Sequence, residues 1–246
     1  MKKILVVFGT RPEAIKMIPV IEELKLYKDY FHTKICITSQ HKEMLNDVLD
    51  TSNIEAHYNL NIMRKGQDLF DLTSRIILKI RNVLEDFSPD LVLVHGDTTT
   101  AFICSLASFY KQIDIAHVEA GLRTNNKYSP WPEEINRQFI SKLAKFHFAP
   151  TINAKNNLLN ENIHEDNILV TGNTVLDSLY TTLNKINSNK NIENEVISNI
   201  RKNNYVITNQ KIILVTGHRR ENIGEDFKNI CEALKKIALD NPDIDI

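Results

Sequence analysis

The side chains best suited to acid–base chemistry stand directly after short apolar runs. His95 and Asp97 end one such run, and Glu119 ends the next along the chain. Carboxylates and imidazoles at such positions can take up and release protons. Burying a carboxylate is costly unless it is paired or used, so Glu119 is a candidate catalytic residue, with Arg123 as its expected partner. Asp97 is a second candidate, although Asp97 or Thr98 could instead cap the following helix.

Gly-Thr-Arg-Pro-Glu at 9–13 combines a helix start with positive charge. Thr10 and Glu13 form a capping box, which local structure alone explains. Arg11 and Lys16 are not explained in this way, because the helix macrodipole disfavours cations at an amino terminus. A helix start that carries Arg and Lys is suited to an anion, above all to phosphate.

Two further segments carry charged side chains. Pro-Trp-Pro-Glu-Glu at 130–134 places Glu133 in the first turn of a helix, where the dipole alone would favour an acid. Gly-His-Arg-Arg-Glu at 217–221 places His218 and two arginines after the last apolar run. The second segment predicts a further group of cationic side chains at the end of a strand.

Glycines mark where the elements that position these residues end. Five of the seven glycines stand at or just after the end of an apolar run, namely Gly9, Gly96, Gly121, Gly172 and Gly217. The runs are short and rich in β-branched residues, and helical stretches separate them, which is typical of buried parallel strands. Open α/β sheets bind their ligands at the carboxyl ends of such strands. The sequence therefore predicts a doubly wound α/β fold with a site at this edge.

Periodicity sets the expected elements. The predicted strands cover 3–8, 33–38, 91–95, 114–119, 146–149, 168–170 and 211–215. The predicted helices cover 12–27, 42–50, 69–87, 98–110, 134–145 and 225–239. The helix at 69–87 is the clearest, because its apolar residues recur every three or four positions.

The chain is predicted to contain two domains. The first covers residues 1–171, and the second, covering 172–246, begins near Gly172. An Asn-rich stretch at 184–209 is interpreted as exposed connecting structure. One strand and one helix follow, and they cannot bury their apolar faces alone. We therefore expect the second domain to be incomplete and the chain to be C-terminally truncated.

Charge and hydropathy argue against several partners. The formal net charge is −1, whereas binding to nucleic-acid phosphates needs a basic surplus. No apolar stretch approaches the ~20 residues that span a bilayer, and the amino terminus lacks a signal-peptide core. The sequence predicts a cytoplasmic protein that binds neither nucleic acid nor membrane.

Common cofactor and metal motifs are missing. The sequence has no Gly-x-Gly-x-x-Gly and no Gly-Lys-Ser/Thr phosphate loop, which argues against hydride and phosphoryl transfer. Its three cysteines, Cys36, Cys104 and Cys231, lie far apart and are interpreted as reduced core thiols. We expect no cofactor and no metal site.

As a set, and in order along nearly the whole chain, eight segments resemble the non-hydrolysing bacterial UDP-N-acetylglucosamine 2-epimerases. They are Gly-Thr-Arg-Pro-Glu-Ala-Ile-Lys-Met at 9–17, Thr-Ser-Gln-His at 38–41, Leu-Asn-Ile-Met at 60–63, Val-His-Gly-Asp-Thr at 94–98, His-Val-Glu-Ala-Gly-Leu-Arg-Thr at 117–124, Ser-Pro-Trp-Pro-Glu-Glu-Ile-Asn-Arg at 129–137, Thr-Gly-Asn-Thr at 171–174 and Gly-His-Arg-Arg-Glu-Asn at 217–222. The resemblance implies a GT-B type fold of two Rossmann-like domains with a UDP-sugar between them. It also implies conversion of UDP-N-acetylglucosamine to UDP-N-acetylmannosamine for cell-envelope polysaccharides, without metal or nicotinamide, by a homodimer.

The resemblance also implies roles for individual residues. The implied catalytic residues are Asp97, Glu119, Glu133 and His218, and the implied substrate ligands are Arg11, Lys16, Asp97, Glu119 and His218. His218 is also a candidate for helping UDP to depart. Which carboxylate faces which side of the sugar ring stays open.

A second UDP-N-acetylglucosamine acts as an activator beside the active site of bacterial relatives. Gln40 and Arg219 match residues of that pocket, whereas Glu43 and Gly66 stand where some relatives have Gln and Arg. The resemblance therefore implies an activator site at Gln40, Glu43 and Arg219 that departs in part from the family pattern.

The family's remaining strands, with a loop for the diphosphate and a Glu for the ribose, have no counterpart in this sequence. We therefore expect the chain to be inactive by itself. Two other functions remain open, namely a GT-B glycosyltransferase that uses a UDP-sugar, and an inactive remnant or interaction module.

Overall fold

The computed structural model describes residues 1–39, 42–64, 66–203, 205–207, 210–216 and 224–246, and of residues 42–44, 46 and 47 only the backbone. The described chain divides into two compact units, Met1–Asn184 and Lys185–Ile246. The sequence placed a domain boundary at 171/172, and that boundary stays a prediction.

A parallel sheet of seven strands forms the centre of the first unit. The strands are β1 (Lys2–Phe8), β2 (Phe31–Ile37), β3 (Tyr58–Asn59), β4 (Leu91–His95), β5 (Asp114–Val118), β6 (Phe146–Ala149) and β7 (Ile168–Val170). Their order across the sheet is β3-β2-β1-β4-β5-β6-β7, and every pairing is parallel. The order reverses between β1 and β4, which is the switch point of a doubly wound sheet.

Helices connect the strands. They are α1 (Arg11–Leu26), α2 (Lys42–Thr51), α3 (Leu69–Phe87), α4 (Thr99–Tyr110), α5 (Glu133–Leu143), α6 (Ile152–Asn160) and α7 (Val175–Ser188). The sequence predicted α1 to α5 to within two residues at each end. It missed β3, which has only two residues, and α6, which has nine.

Apolar side chains cover both faces of the sheet. Leu5 and Val92 belong to a buried cluster that includes α3 and α4 side chains. Val6 and Leu93, one position along each strand, belong to a second cluster that includes α1 side chains. Because successive side chains of a strand point to opposite faces, these strands are buried on both sides and read as continuous apolar runs.

Two glycines are required by close packing. A Cβ atom at Gly9 would lie 2.2 Å from Thr38 Oγ1 and 2.6 Å from Thr100 Oγ1. A Cβ atom at Gly121, where φ is +88°, would lie 2.2 Å from the carbonyl oxygen of Ala154. Both glycines let backbone pack closely at the carboxyl edge of the sheet.

The second unit contains α8 (Lys190–Lys202), β8 (Lys211–Ile212), α9 (Glu225–Asp240) and β9 (Ile244–Asp245), with β8 and β9 paired in parallel. The interpretation of 184–209 as connecting structure is wrong for most of that range, because α7 continues to Ser188 and α8 follows. Apolar Ile192, Val196 and Ile200 recur every four residues in α8, a helical spacing that the many asparagines obscured. The strand predicted at 211–215 has only two residues, and Leu214 is 87% exposed.

Cys36 and Cys104 are buried, as expected of core thiols, whereas Cys231 on α9 is exposed. Its assignment to a core is therefore wrong, because α9 has no buried residues. Within the described ranges, no helix is long and apolar enough to cross a membrane.

Candidate functional site

The candidate site lies where β1, β4, β5 and β7 end. The backbone N–H of Gly96 donates to the carbonyl of Val118 over 3.0 Å, so the segments after β4 and β5 are joined. Asp97 and Glu119 directly follow these two bonded residues. The sheet therefore brings together two of the predicted catalytic carboxylates from neighbouring strand ends.

Glu119 is held by three elements. Lys16 of α1 donates to both of its carboxylate oxygens, at 2.8 and 2.6 Å. Asn173, which follows β7, donates its side-chain amide to Oε2 at 2.6 Å. The Nε2 atom of His95 lies 3.8 Å from Oε2, beyond hydrogen-bond distance. Glu119 itself has φ of +63°, which turns the chain sharply after β5.

The Glu119 carboxylate is strongly acidic in this setting. Burial raises its pKa, but the neighbouring His95 and Lys16 lower it by more, to about 2. His95 is not within hydrogen-bond distance of Glu119, so we attribute its lowering of the Glu119 pKa to charge alone. Lys16 lowers this pKa through its direct hydrogen bonds as well as its charge. Glu119 is therefore ionised at neutral pH and paired with the Lys16 ammonium group.

Arg123 does not pair with Glu119, so that prediction is wrong. Its guanidinium, 2% exposed, donates to both carboxylate oxygens of Glu161 at 2.5 and 2.9 Å, and to Ser141 Oγ at 2.9 Å. Glu161 directly follows α6, a helix that the sequence analysis did not predict. Arg123 is thus part of the scaffold that fixes the loop after β5.

The start of α5 holds Asp97. Arg137 forms an ion pair with the Asp97 carboxylate, and Asn136 donates its side-chain amide to the Asp97 carbonyl at 2.9 Å. Both residues lie within the first five positions of α5, whose first residue is Glu133. The predicted catalytic Glu133, which is half-buried, therefore begins the helix that positions Asp97.

Glu134, the neighbour of Glu133, has a structural role. It is fully buried, and its carboxylate accepts the backbone N–H groups of Thr124 and Asn125, each at 3.1 Å. Burial raises the pKa of Glu134, but these hydrogen bonds and the nearby Arg137 guanidinium give a net lowering. Glu134 therefore anchors the loop between β5 and α5 to the helix.

The capping box of α1 is confirmed, and it extends to a second strand end. Glu13 accepts the backbone N–H groups of Gly9 and Thr10, at 3.0 and 2.8 Å. Its other carboxylate oxygen accepts the Thr98 hydroxyl at 2.8 Å. Thr98, rather than Asp97, caps α4, by accepting the backbone N–H of Ala101. The Asp97 side chain is therefore not needed for capping.

Two buried histidines that the sequence analysis did not single out lie beneath the site. His117 and His147 stand opposite each other on β5 and β6. The Nε2 atom of His117 lies 2.6 Å from the carbonyl of Gly96, so this nitrogen donates and the ring supports the turn that carries Asp97. Burial lowers the pKa of His117 to about 3 and that of His147 to about 4.

The remaining predicted site residues give less structural information. Arg11 is exposed at the first position of α1. His218, Arg219 and Gln40 lie outside the described residues, and only the backbone of Glu43, in α2, is described. Within the described part of the chain, no group of three His, Cys, Asp or Glu side chains is arranged to hold a metal ion.

Asn173 and Arg137 are the functional candidates that the sequence analysis missed. Both lie in segments that carried the family resemblance, but neither was assigned a role. Asn173 directly follows Gly172, and its own side-chain oxygen accepts the Val175 N–H at 3.0 Å, which fixes the amide that reaches Glu119. A polar residue beside a glycine at a strand end was the available signal.

Known proteins match this chain throughout. A sequence model of the UDP-N-acetylglucosamine 2-epimerase family matches residues 24–246. The UDP-N-acetylglucosamine 2-epimerase of Campylobacter jejuni is 53% identical over 245 residues, which are 100% of this chain and 64% of that protein. The chain thus spans about 64% of the length of the curated relatives it matches.

Solved structures of UDP-GlcNAc 2-epimerases have the same fold as this chain. A crystal structure of the Neisseria meningitidis UDP-GlcNAc 2-epimerase bound to UDP-GlcNAc has a TM-score of 0.91 and 51% identity, covering 98% of this chain and 64% of that one. The Methanocaldococcus jannaschii enzyme, in complex with UDP-GlcNAc and UDP, has a TM-score of 0.83 and 34% identity over 98% of this chain and 64% of that one. The predicted fold class, α/β of the GT-B type with a partial second domain, is confirmed.

Proposed function

This chain belongs to the UDP-N-acetylglucosamine 2-epimerase family, and from this we propose that the whole protein interconverts UDP-N-acetylglucosamine and UDP-N-acetylmannosamine. The observation that carries the proposal is that two carboxylates stand at neighbouring strand ends of one parallel sheet, Glu119 paired with the Lys16 ammonium and Asp97 with the Arg137 guanidinium. Acid–base groups and a cation are what an epimerisation next to a diphosphate leaving group needs.

The proposed reaction is an elimination followed by an addition. A base takes the C2 proton, the C2–H electrons form the C1–C2 double bond, and UDP leaves C1 with the electrons of the C1–O bond. The intermediate is 2-acetamidoglucal. UDP then adds back to C1 while an acid delivers a proton to the opposite face of C2, so that C2 is inverted.

We assign the proton transfers to Asp97, Glu119 and Glu133. Acid and base must stand on opposite faces of the ring, and these carboxylates come from different segments, after β4, after β5 and at the start of α5. Which of them serves each face stays open. His218 is proposed to help UDP depart, since charge develops on the leaving diphosphate.

We propose that the diphosphate binds near the amino end of α1. Backbone N–H groups at a helix start attract anions, and Arg11 and Lys16 add two positive charges there. Glu13 and Thr98 support this proposal indirectly, because their hydrogen bond ties the α1 start to the end of β4, beside Asp97.

Product analysis in D2O tests the function. The whole protein is incubated with UDP-N-acetylglucosamine alone, and products are followed by ¹H NMR. We expect UDP-N-acetylmannosamine carrying deuterium at C2, because the abstracted proton exchanges with solvent. Product that keeps its original hydrogen would refute elimination. A glycosyltransferase, the alternative, would give no epimer and would leave the UDP-sugar unchanged without an acceptor, and the family membership does not favour it.

Three finer proposals accompany this one. UDP-N-acetylglucosamine is proposed to act also as an activator through Gln40, Glu43 and Arg219, and the protein is proposed to work in the cytoplasm without metal or nicotinamide. The initial rate should then rise sigmoidally with UDP-N-acetylglucosamine concentration, and Arg219→Ala should make this dependence hyperbolic.

We also propose a homodimer. Exposed aromatic side chains support it: Phe109 and Tyr110 on α4, and Phe139 on the neighbouring α5, are 55%, 65% and 52% exposed. Large apolar side chains exposed on neighbouring helices are candidates for an association surface. Analytical ultracentrifugation should give a dimer that Phe139→Glu weakens, and a monomeric wild type would refute the proposal.

A further inference from the structure

Lys16 has two possible partners of negative charge, the Glu119 carboxylate and an anion bound at the start of α1. Its ammonium donates to both oxygens of Glu119, and the two side chains are 22% and 12% exposed. Lys16 also belongs to the amino-terminal half of α1, the helix start that is suited to an anion. A phosphate bound within reach of Lys16 would compete with Glu119 for the same ammonium group.

The pairing with Lys16 makes Glu119 a poor base. With its pKa lowered to about 2, the carboxylate has little affinity for a proton at neutral pH. A general base works best when its pKa lies near the operating pH. Burial acts in the other direction and raises the pKa of Glu119, so loss of the Lys16 contact would strengthen this base.

We propose that Lys16 is a switch that couples anion binding to the basicity of Glu119. A diphosphate at the start of α1 draws the ammonium away from Glu119, and the carboxylate then becomes able to accept the C2 proton. This inference rests on the proposed function. Lys16 pairs with Glu119 in the free protein and with the diphosphate in the complex, so Glu119 stays a weak base until the leaving group is bound.

The geometry lets Glu119 keep its position after Lys16 has moved. The Asn173 amide still donates to Oε2, and Asn173 is itself fixed through its bond to the Val175 N–H. His95, 5% exposed and 3.8 Å from Oε2, is a second titratable group beside the carboxylate among the described residues. One ion pair is therefore exchanged without releasing the base from the strand end.

A double-mutant cycle on UDP binding tests the switch. Calorimetry at pH 7.5 on the whole protein compares wild type, Glu119→Gln, Lys16→Met and the double variant. Glu119→Gln should bind UDP at least about 5-fold more tightly than wild type, because Lys16 no longer has a competing partner. In the Lys16→Met background the same change should bring no gain. Glu23→Gln, which removes an exposed charge elsewhere on α1, is the matched control.

An equal gain in both backgrounds would overturn the switch, since it would mean that Glu119 only repels the diphosphate through space. No gain from Glu119→Gln in either background would overturn it as well. Failure of wild type to bind UDP at all would instead refute the proposed function, and the inference with it.

Proton uptake gives a second readout. Binding of UDP-N-acetylglucosamine at pH 5.0, measured in buffers of different ionisation enthalpy, should take up about 0.2 proton or more as the Glu119 pKa rises toward 4.5. Uptake should vanish in Glu119→Gln and persist in His95→Gln. Loss of uptake in His95→Gln would place the proton on the histidine and overturn the assignment to Glu119.

Discussion

His117 is expected to make the first unit lose stability as the pH falls from 8 to 5. The imidazole is fully buried, and burial lowers its pKa from 6.5 to about 3. The folded state therefore keeps this group neutral over a range in which the unfolded chain binds a proton. Because the unfolded state binds more protons between pH 6.5 and 3, stability falls as the pH falls through this window.

The magnitude follows from the size of the lowering. Each pKa unit corresponds to 1.36 kcal/mol, so the loss from His117 is about 2 kcal/mol at pH 5 and about 4 kcal/mol at pH 3. A loss of 2 kcal/mol corresponds to a decrease in Tm of about 4–8 °C for a unit of this size. His147, whose pKa is lowered to about 4, contributes in the same direction.

The variant that isolates this contribution is His117→Gln. Its side-chain amide can still donate to the Gly96 carbonyl, as Nε2 of His117 does, but it does not titrate. The variant should be less stable than wild type at pH 8, because the packing changes. Between pH 8 and pH 5 its Tm should fall by about 4–8 °C less than that of wild type.

Thermal unfolding followed by circular dichroism at pH 8, 7, 6 and 5 measures the difference. His164→Gln, which removes a histidine whose side chain is 75% exposed, shows what the loss of any imidazole does. A constant gap in Tm between wild type and His117→Gln at every pH would refute the reasoning, because it would mean that His117 does not titrate between the folded and unfolded states.

Three further outcomes are expected. Gly9→Ala should destabilise the fold by about 1–3 kcal/mol in urea unfolding, since the added methyl would lie 2.2 Å from Thr38 Oγ1; an unchanged midpoint would contradict this close packing. Arg123→Met should cost about 3–5 kcal/mol by leaving Glu161 unpaired, and Arg123→Met combined with Glu161→Leu should recover part of that loss. Arg11→Ala should weaken UDP binding by about 1.5–3 kcal/mol with Tm nearly unchanged, and unaltered affinity would remove Arg11 from the proposed anion site.

The sequence by itself determined the architecture and the edge of the sheet at which the candidate site lies. Strands buried on both faces must be apolar along their whole length, and the polar residues that follow them must then meet at one edge. This is why the sequence alone places Asp97 and Glu119 beside each other. The family, too, followed from sequence motifs, and the comparisons confirm it. The roles of the individual site residues stay predictions.

Elements with weak patterns were missed for a physical reason. β3 has two residues, too few to show an alternation, and its place in the sheet depends on pairing with β2. In α8, polar asparagines conceal the four-residue spacing of Ile192, Val196 and Ile200. Local signals of this kind are too short or too diluted to be told apart from loops.

The tertiary structure alone decided which charges pair. The sequence analysis predicted that Glu119 pairs with the nearby Arg123, but the partners of Glu119 are Lys16 and Asn173, which lie 103 and 54 residues away. These contacts exist because β1 and β7 belong to the same parallel sheet as β5, and the strand order brings their carboxyl ends to one edge. Arg123 meanwhile reaches Glu161 at the end of α6. Side-chain partners depend on the order of strands in space, which local sequence patterns do not encode.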